Sequence, residues 1–156
     1  MRLIRATVSD AERILCLQQL AFAALLEKYL DFDTNPGNES LERICQKLSQ
    51  PETHYYFLEE AGDIVGGIRV VVPEDLRPKR ISPLFILPEF RGRGYAQAAI
   101  RAVEACHGAD HWSLETILEE PGNCHLYEKM GYRQTGQMLK INEKMTIVMY
   151  EKELEL

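Results

Sequence analysis

A short stretch around two glycines has the residue types that bind a phosphate group. Arg91-Gly92-Arg93-Gly94-Tyr95-Ala96 follows the apolar run Leu84-Phe85-Ile86-Leu87 and precedes an alanine-rich amphipathic segment. This order predicts a strand, a tight glycine turn and the start of a helix. The first main-chain N–H groups of a helix have no partner within it and lie at its positive end, so they form an anion site. The alternative is a tight connection with surface arginines.

Each residue type in this turn has a physical reason to bind an anion. Glycine at 92 and 94 adopts dihedral angles that a Cβ would forbid and lets the main chain approach the anion closely. Arg91 and Arg93 add charged donors whose geometry suits phosphate oxygens. The P-loop motif Gly-x4-Gly-Lys-[Ser/Thr] is absent from the sequence, and the dinucleotide motif Gly-x-Gly-x-x-Gly fails at Gln97. The sequence therefore indicates a third kind of phosphate site.

A second motif lies downstream and points to a family. The segment Leu126-Tyr127-Glu128-Lys129-Met130-Gly131-Tyr132 resembles the Leu-Tyr-x-Lys-x-Gly-Phe signature of the GNAT superfamily of N-acetyltransferases. Arg91-x-x-Gly94-x-Ala96 matches the Arg/Gln-x-x-Gly-x-Gly/Ala motif of the same superfamily, and the opening around Ile4-Arg5 is similar to that of many members. The resemblance covers nearly the whole chain in the right order, and two motifs together are more specific than either alone.

The resemblance implies a fold and a co-substrate. The fold is mixed α/β (α+β), with a central, mostly antiparallel sheet of six to seven strands, helices on both faces and a splay at the fourth strand. The co-substrate is acetyl-CoA, and no metal is implied. The turn at 91–96 would hold its pyrophosphate, and the exposed backbone of Leu84, Phe85 and Ile86 would pair with its pantetheine arm as with an added strand. The alternative for these three residues is simple core packing.

The resemblance also implies a reaction by direct attack, without a covalent enzyme intermediate. A main-chain N–H of the segment 84–86 would polarise the thioester carbonyl as the amine attacks it. The departing thiolate then needs a proton. Tyr127 stands at the position of the general acid, and a phenol with an ordinary pKa near ~10 is protonated at neutral pH. The alternative for Tyr127 is a ring packed under the sheet with a hydrogen-bonded hydroxyl.

The motifs leave two further roles open. Family members often place an asparagine seven residues before the motif tyrosine to contact the pantetheine arm, and that position is Glu120 here. Asn123 is then either a coenzyme contact or the N-cap of the following helix. For the base that accepts the amine's proton, the sequence offers Glu115, Glu59 and Glu60 without choosing among them, because charged strand residues are mostly solvated.

The histidines and cysteines indicate neither a metal site nor a disulfide. His107 and His111 are four residues apart, but Gly108 ends the predicted helix between them and no third ligand is evident. The four cysteines are scattered without a Cys-x-x-Cys pair, which is typical of a reducing compartment. Charged residues interrupt the first segment of the chain, so we find no secretory signal and expect a cytoplasmic protein.

Length and charge limit the class of protein. With 156 residues, 46% of them hydrophobic, the chain can form one packed domain over residues 1–156. The net charge of −6 argues against general nucleic-acid binding, and no uncharged run is long enough to cross a membrane. An acidic protein is compatible with a small-molecule or peptide amine as acceptor. A homodimer through the C-terminal strands is compatible with the sequence, although no pattern requires it.

Periodicity and turn residues predict the elements that position the motifs. The predicted strands are Arg2–Ala6, His54–Glu60, Ile64–Val72, Lys79–Leu87, Trp112–Leu118, Tyr132–Lys140 and Thr146–Lys152. The predicted helices begin with a Ser9–Glu12 capping box, near Leu25, at Ser40, at Tyr95 and after Asn123.

We therefore predict an acyltransferase that moves an acetyl group from acetyl-CoA to a primary amine in a ternary complex. A non-catalytic acyl-CoA-binding module with the same fold is the alternative, and an enzyme using another nucleotide is disfavoured by the missing fingerprints. A small amine, an aminoglycoside, an amino acid and a peptide N-terminus all remain open as acceptors. We expect the segment 22–33 and the hairpin loops to form the acceptor pocket.

Overall fold

Seven strands form one sheet with helices on both faces in the computed structural model of the chain, which describes residues 1–153. The end of the predicted domain, residues 154–156, lies outside the described range. None of the described helices combines the length and apolar composition that a membrane crossing requires. The elements are β1 (Arg2–Arg5), α1 (Ala11–Tyr29), α2 (Leu41–Ser49), β2 (Thr53–Glu60), β3 (Asp63–Val71), β4 (Lys79–Ile86), α3 (Tyr95–His107), β5 (His111–Ile117), α4 (Pro121–Lys129), β6 (Arg133–Asn142) and β7 (Met145–Glu153).

The sheet opens between its two central strands. Its order is β1-β2-β3-β4-β5-β7-β6, and every neighbouring pair is antiparallel except β4 and β5. That parallel pairing joins only Lys79–Ile81 to Trp112–Leu114, although both strands continue beyond it. The two strands therefore separate after Ile81, which confirms the predicted mostly antiparallel sheet with a splay at the fourth strand.

The sheet is covered on both faces, and alternate residues of its strands enter two different cores. In β2, Tyr55 and Phe57 pack in a cluster with Ile14 of α1 and Ile44 of α2. Tyr56 and Leu58 pack on the other side, in a cluster that includes Ile100 and Val103 of α3 and Tyr127 of α4. This period of two is that of a strand buried on both faces. Burying each large apolar side chain stabilises the fold by roughly 1.5–3 kcal/mol.

The first helix differs from the prediction. The sequence predicts two helical stretches before residue 31, whereas α1 is continuous and is followed by the C-cap Leu30, which has a φ of 56°. No glycine or proline interrupts residues 11–30, so the helix has no reason to break there. The predicted capping box at Ser9 is also wrong, because the main-chain N–H of Thr7 donates to the Asp10 carboxylate at 2.8 Å.

The helix before the second motif begins earlier than predicted. Its N-cap is Glu120 and Pro121 is its first residue, a position where the missing proline N–H costs nothing. Asn123 lies inside the first turn, so the alternative that made it the N-cap is wrong.

The outermost strand, β6, is interrupted twice and mostly exposed. Its pairing with β7 shifts register between Gln134 and Met138, around Gly136 with its φ of 95°, and again between Lys140 and Asn142. Its first eight residues are all exposed. Regular pairing is thus limited to two short segments of this strand.

Candidate active site

The turn between β4 and α3 presents a row of unpaired main-chain N–H groups. Gly92 and Gly94 have φ values of 80° and 79°, and a Cβ at either position would meet no atom within 4 Å. The first bond of the helix runs from the Ala98 N–H to the Gly94 carbonyl at 3.1 Å. Within residues 1–153, the N–H groups of residues 92–97 have no acceptor. The turn therefore combines free donors, open space and a helix N-terminus, which together suit a pyrophosphate.

The two arginines of the turn are held differently. The Arg91 guanidinium donates to the Ile86 carbonyl at 2.9 Å and to the Ala21 carbonyl of α1 at 2.7 Å. Arg93 is exposed, donates one long hydrogen bond of 3.5 Å to the Glu89 carbonyl, and has its Cζ 5.6 Å from the centroid of the Phe90 ring. Arg91 thus anchors the turn to α1, and Arg93 is the arginine whose side chain is available to a phosphate.

Beyond the splay, one edge of β4 is free of strand partners within the described sheet. Leu84, Phe85 and Ile86 lie opposite residues of β3, and the Leu87 N–H donates to the Val65 carbonyl at 2.8 Å. Because main-chain groups alternate in direction along a strand, Phe85 turns its groups to β3, and Leu84 and Ile86 turn theirs to the splay. The side chains of Phe85 and Ile86 are buried in the core. The predicted backbone role and the core role are therefore compatible.

Two glycines in β3 bring that strand very close to β4. A Cβ on Gly66 would lie 2.0 Å from the Phe85 carbonyl oxygen, and a Cβ on Gly67 would lie 2.7 Å from Cζ of the Phe85 ring. This pair of glycines was not among the residues predicted for the site. The available signal was a Gly-Gly step inside a strand of β-branched residues, where glycine marks a close approach of backbones.

Tyr127 is buried between two other tyrosines but differs from them in its hydroxyl. Its ring centroid lies 6.3 Å from that of Tyr132 and 6.2 Å from that of Tyr150. Tyr132 donates to Glu104 at 2.9 Å and Tyr150 to Glu128 at 2.6 Å, whereas the Tyr127 hydroxyl has no partner among residues 1–153. Burial raises the pKa of Tyr127 to about 12, so the phenol is protonated at neutral pH. The hydroxyl is therefore an uncommitted proton donor.

Hydrogen bonds around Glu120 and Tyr29 connect three parts of the chain on the side where we expect the acceptor. The Glu120 carboxylate accepts hydrogen bonds from the Tyr29 hydroxyl at 2.5 Å and from Lys28 Nζ at 2.7 Å. The Asn142 side chain donates to the Tyr29 carbonyl at 2.9 Å. The end of α1, the β5–α4 connection and the β6–β7 hairpin thus meet here. No local pattern could have indicated this network, and the role of Asn123 as a coenzyme contact stays a prediction.

The three candidate bases have different positions. Glu59 lies 3.6 Å from Arg2, and Glu60 lies 3.3 Å from the amino terminus, both at the β1–β2 edge of the sheet. Glu115 follows the last residue of β5 that pairs with β4, and its carboxylate is 3.8 Å from Arg80. Of the three, Glu115 is therefore the one at the splay.

The histidines at 107 and 111 have separate neighbours. His107 Nε2 lies 2.8 Å from the Tyr56 hydroxyl, and its ring centroid is 4.8 Å from that of His54. His111 instead faces Glu151 and Glu153 of β7. The two histidines therefore do not act together.

Residues 21–132 match the family model of the acetyltransferase (GNAT) family, a range that contains the splay, the glycine turn and the motif at 126–132. The chain therefore belongs to the acetyltransferase (GNAT) family. A search of curated protein sequences found no match.

Solved structures of similar fold come from several bacteria. An acetyltransferase from Thermus thermophilus is 18% identical with a TM-score of 0.72, covering 98% of this chain and 96% of its own. A mutant spermidine N-acetyltransferase from Vibrio cholerae is 17% identical with a TM-score of 0.73, covering 98% and 95%. A GNAT family acetyltransferase from Elizabethkingia anophelis with acetyl-CoA bound is 19% identical with a TM-score of 0.60, covering 74% and 84%. At these identities the likeness is one of fold.

Proposed function

We propose that this protein is an N-acetyltransferase that moves the acetyl group of acetyl-CoA to a primary amine in a ternary complex. The observation that carries the proposal is the continuity of two binding surfaces. The free edge of β4 runs directly into the row of unpaired N–H groups at 92–97. Coenzyme A has the same order of parts, with a pantetheine arm that carries amides followed by a pyrophosphate.

The residues that would hold acetyl-CoA follow from this order. The N–H groups of the turn and the Arg93 guanidinium would bind the pyrophosphate oxygens. The main-chain groups of Leu84 and Ile86 that face the splay would pair with the amides of the arm. The Ile86 carbonyl already accepts from Arg91, so its N–H is the more available group. We place Asn123 near the arm as a further contact.

The chemistry requires a polarised carbonyl, a base and an acid. A main-chain N–H of segment 84–86 would donate to the thioester oxygen as the amine nitrogen forms its bond to the carbonyl carbon. Glu115 would take the proton of the amine. Tyr127 would give its proton to the sulfur as the carbon–sulfur bond breaks, so that the products are an amide and a free thiol.

The acceptor would approach from the side where α1 meets the β5–α4 connection and the β6–β7 hairpin. Glu120 and Tyr29 form part of this wall. The net charge of −6 favours a cationic amine. The Vibrio cholerae protein is a spermidine N-acetyltransferase, so polyamines belong in the first set of amines to assay. The four cysteines are all free, which fits our proposal of a cytoplasmic protein. We also propose that residues 1–156 form a single domain.

Calorimetric titration with acetyl-CoA tests the cofactor assignment, with Gly94→Glu as the variant. The new carboxylate would lie at the anion site, and we expect at least ~100-fold weaker binding, with NAD as the ligand control. Gly136→Glu is the matched control, because Gly136 also has a positive φ and open surroundings but lies in β6. Equal affinities of Gly94→Glu and the wild-type protein would refute the pyrophosphate site.

A thiol-release assay with a panel of amines then tests the reaction. Turnover with at least one amine supports the enzyme. Tight acetyl-CoA binding with no turnover on small amines, aminoglycosides, amino acids and peptides would favour the non-catalytic acyl-CoA-binding module.

A further inference from the structure

Three metal-ligating side chains meet on one face of the sheet, at the end opposite the splay. His111 begins β5, and Glu151 and Glu153 stand near the end of β7. The register places His111 directly opposite Glu153 and Ser113 opposite Glu151, so the three side chains share a face. We propose that His111, Glu151 and Glu153 bind one divalent transition-metal ion, with Zn²⁺ as the preferred ion.

The distances fit a shared ion and are long for direct hydrogen bonds. His111 Nε2 lies 3.4 Å from Glu151 Oε2, at the outer limit of a hydrogen bond, and 3.4 Å from Glu153 Oε1. Zinc bonds to nitrogen and oxygen are ~2.0–2.2 Å, so two ligands of a tetrahedral zinc ion lie about 3.4 Å apart. An N–H···O hydrogen bond is typically ~2.9–3.0 Å. All three ligand atoms are within 4.8 Å of one another, a separation that small rotations of the exposed Glu153 can close.

The local charges also favour a cation. Two carboxylates two residues apart on one strand face repel each other. Lys152 between them points to the other face, where its Nζ is 2.9 Å from Glu104. Arg133 of β6 lies opposite Glu151, but no ion pair joins them among residues 1–153. One imidazole nitrogen and two carboxylate oxygens form a donor set that suits zinc and leaves a coordination position for water.

The site can be reached from solvent, and the strands hold its ligands in register. The side chains of His111, Glu151 and Glu153 are 30%, 36% and 71% exposed. A bound ion would tie the start of β5 to the end of β7. Because β4 and β5 separate at the opposite end of β5, the ion would stabilise the C-terminal strand and would not take part in acetyl transfer. This proposal is independent of the proposed function.

Calorimetric titration of the full, metal-free chain with Zn²⁺ tests the site. We expect one ion per chain in the wild-type protein, and at least tenfold weaker binding in His111→Ala and in Glu151→Gln. His125→Ala is the matched control, because His125 is an exposed histidine of α4 outside the cluster, and we expect it to bind as the wild type does. Circular dichroism of each variant shows that it is folded.

Cobalt absorption spectroscopy identifies the ligands independently. Cys16 and Cys106 are exposed thiols. Because thiolates are ligands for divalent metals, the experiment must distinguish them from the proposed site. We expect Co²⁺ to give the visible bands of a nitrogen and oxygen site without a thiolate charge-transfer band. A thiolate band, wild-type affinity in His111→Ala, or no measurable Zn²⁺ binding would each overturn the proposal.

Discussion

At the level of single residues, the tyrosines around α4 illustrate how one side-chain type serves two purposes. The hydroxyls of Tyr132 and Tyr150 donate to carboxylates, those of the buried Glu104 and the exposed Glu128 respectively. Tyr127 packs its ring as they do and keeps its hydroxyl uncommitted. The ring of Tyr127 is thus a core residue, as the packing alternative predicted, but its hydroxyl lacks the hydrogen bond which that alternative included. The role of Tyr127 as general acid stays a prediction.

Replacing Tyr127 by phenylalanine separates these two functions. We expect Tyr127→Phe to lower kcat by about 100-fold or more, since general acids contribute roughly 10²–10⁴-fold. The affinity for acetyl-CoA should stay near that of the wild type, because the ring remains. Tyr150→Phe is the control and should reduce stability by about 1 kcal/mol through its lost hydrogen bond. Steady-state kinetics measures kcat, and calorimetry measures the affinity for acetyl-CoA. A wild-type kcat in Tyr127→Phe would exclude Tyr127 as the general acid.

The raised pKa of Tyr127 leads to a prediction about the pH dependence of kcat. The donor form of this group is the protonated phenol, which is present below its pKa and is lost as the pH rises through about 12. We therefore expect kcat to show no alkaline decline from Tyr127 up to about pH 10. A decline near pH 8 to 9 that disappears in Tyr127→Phe would contradict this, and a kcat profile over that range decides it.

Replacing each of the two arginines of the glycine turn should have a different effect, one on acetyl-CoA binding and the other on stability. Arg93→Ala should weaken acetyl-CoA binding, most strongly at low salt, and leave thermal unfolding unchanged, because Arg93 is exposed. Arg91→Ala should lower the free energy of unfolding by about 1.5–3 kcal/mol, because it breaks charged hydrogen bonds to Ile86 and Ala21. Calorimetry and urea denaturation distinguish the two variants. Equal losses of stability would show that both arginines are structural.

At the level of elements, capping residues and helix-breaking residues predicted those helix boundaries that depend on residues close in sequence. Ser40 accepts from the Arg43 N–H and starts α2 as predicted, and α3 spans Tyr95–His107 between the cap residues Gly94 and Gly108. The continuity of α1 was missed because no local signal marks the middle of a helix. The sequence predicts a start of α4 after Asn123, whereas the helix begins at Pro121, because proline is favoured at the first helical position.

The close approach of β3 and β4 depends on Gly66. Alanine there would place Cβ 2.0 Å from the Phe85 carbonyl oxygen, so the strands must separate. We expect Gly66→Ala to lower the free energy of unfolding by about 2–3 kcal/mol, as other overpacked sites do. Gly122→Ala is the control, since it has open surroundings in α4. Urea denaturation measures both, and a change below about 0.5 kcal/mol in Gly66→Ala would mean that the strands adjust freely.

At the level of the whole molecule, two half-sheets are joined by a short parallel seam. The seam consists of the pairing of Lys79–Ile81 with Trp112–Leu114, and the strands open beyond it. The strand, the glycine turn and the helix start at 84–96 were predictable because they are contiguous in sequence, and their role in binding stays a prediction. The Glu120–Tyr29 contact and the cluster at His111 were not, because each depends on segments that the sheet brings together from distant parts of the chain.

A ligand that enters the splay should therefore stabilise the whole molecule. We expect acetyl-CoA at 100 times its Kd to raise the free energy of unfolding by about 2.7 kcal/mol. Hydrogen exchange should slow most at residues 82–86 and in the turn at 92–97, where the ligand also opposes local opening, and least in the edge strand β1. Denaturation and exchange with and without the ligand measure these effects. Protection confined to β1 and β2 would place the ligand elsewhere.

The interruptions of β6 have a consequence for how the protein behaves at high concentration. An edge strand offers its free backbone groups to any passing chain and can seed fibrous aggregates. Here the regular stretch after Gly136 spans only Met138–Lys140 before the next shift. A strand from another molecule could therefore pair regularly with only three residues of β6 before it reached an irregular part of the strand. Met138 and Leu139 can thus be exposed at the edge of the sheet although this edge does not offer the long regular strand on which a fibril grows.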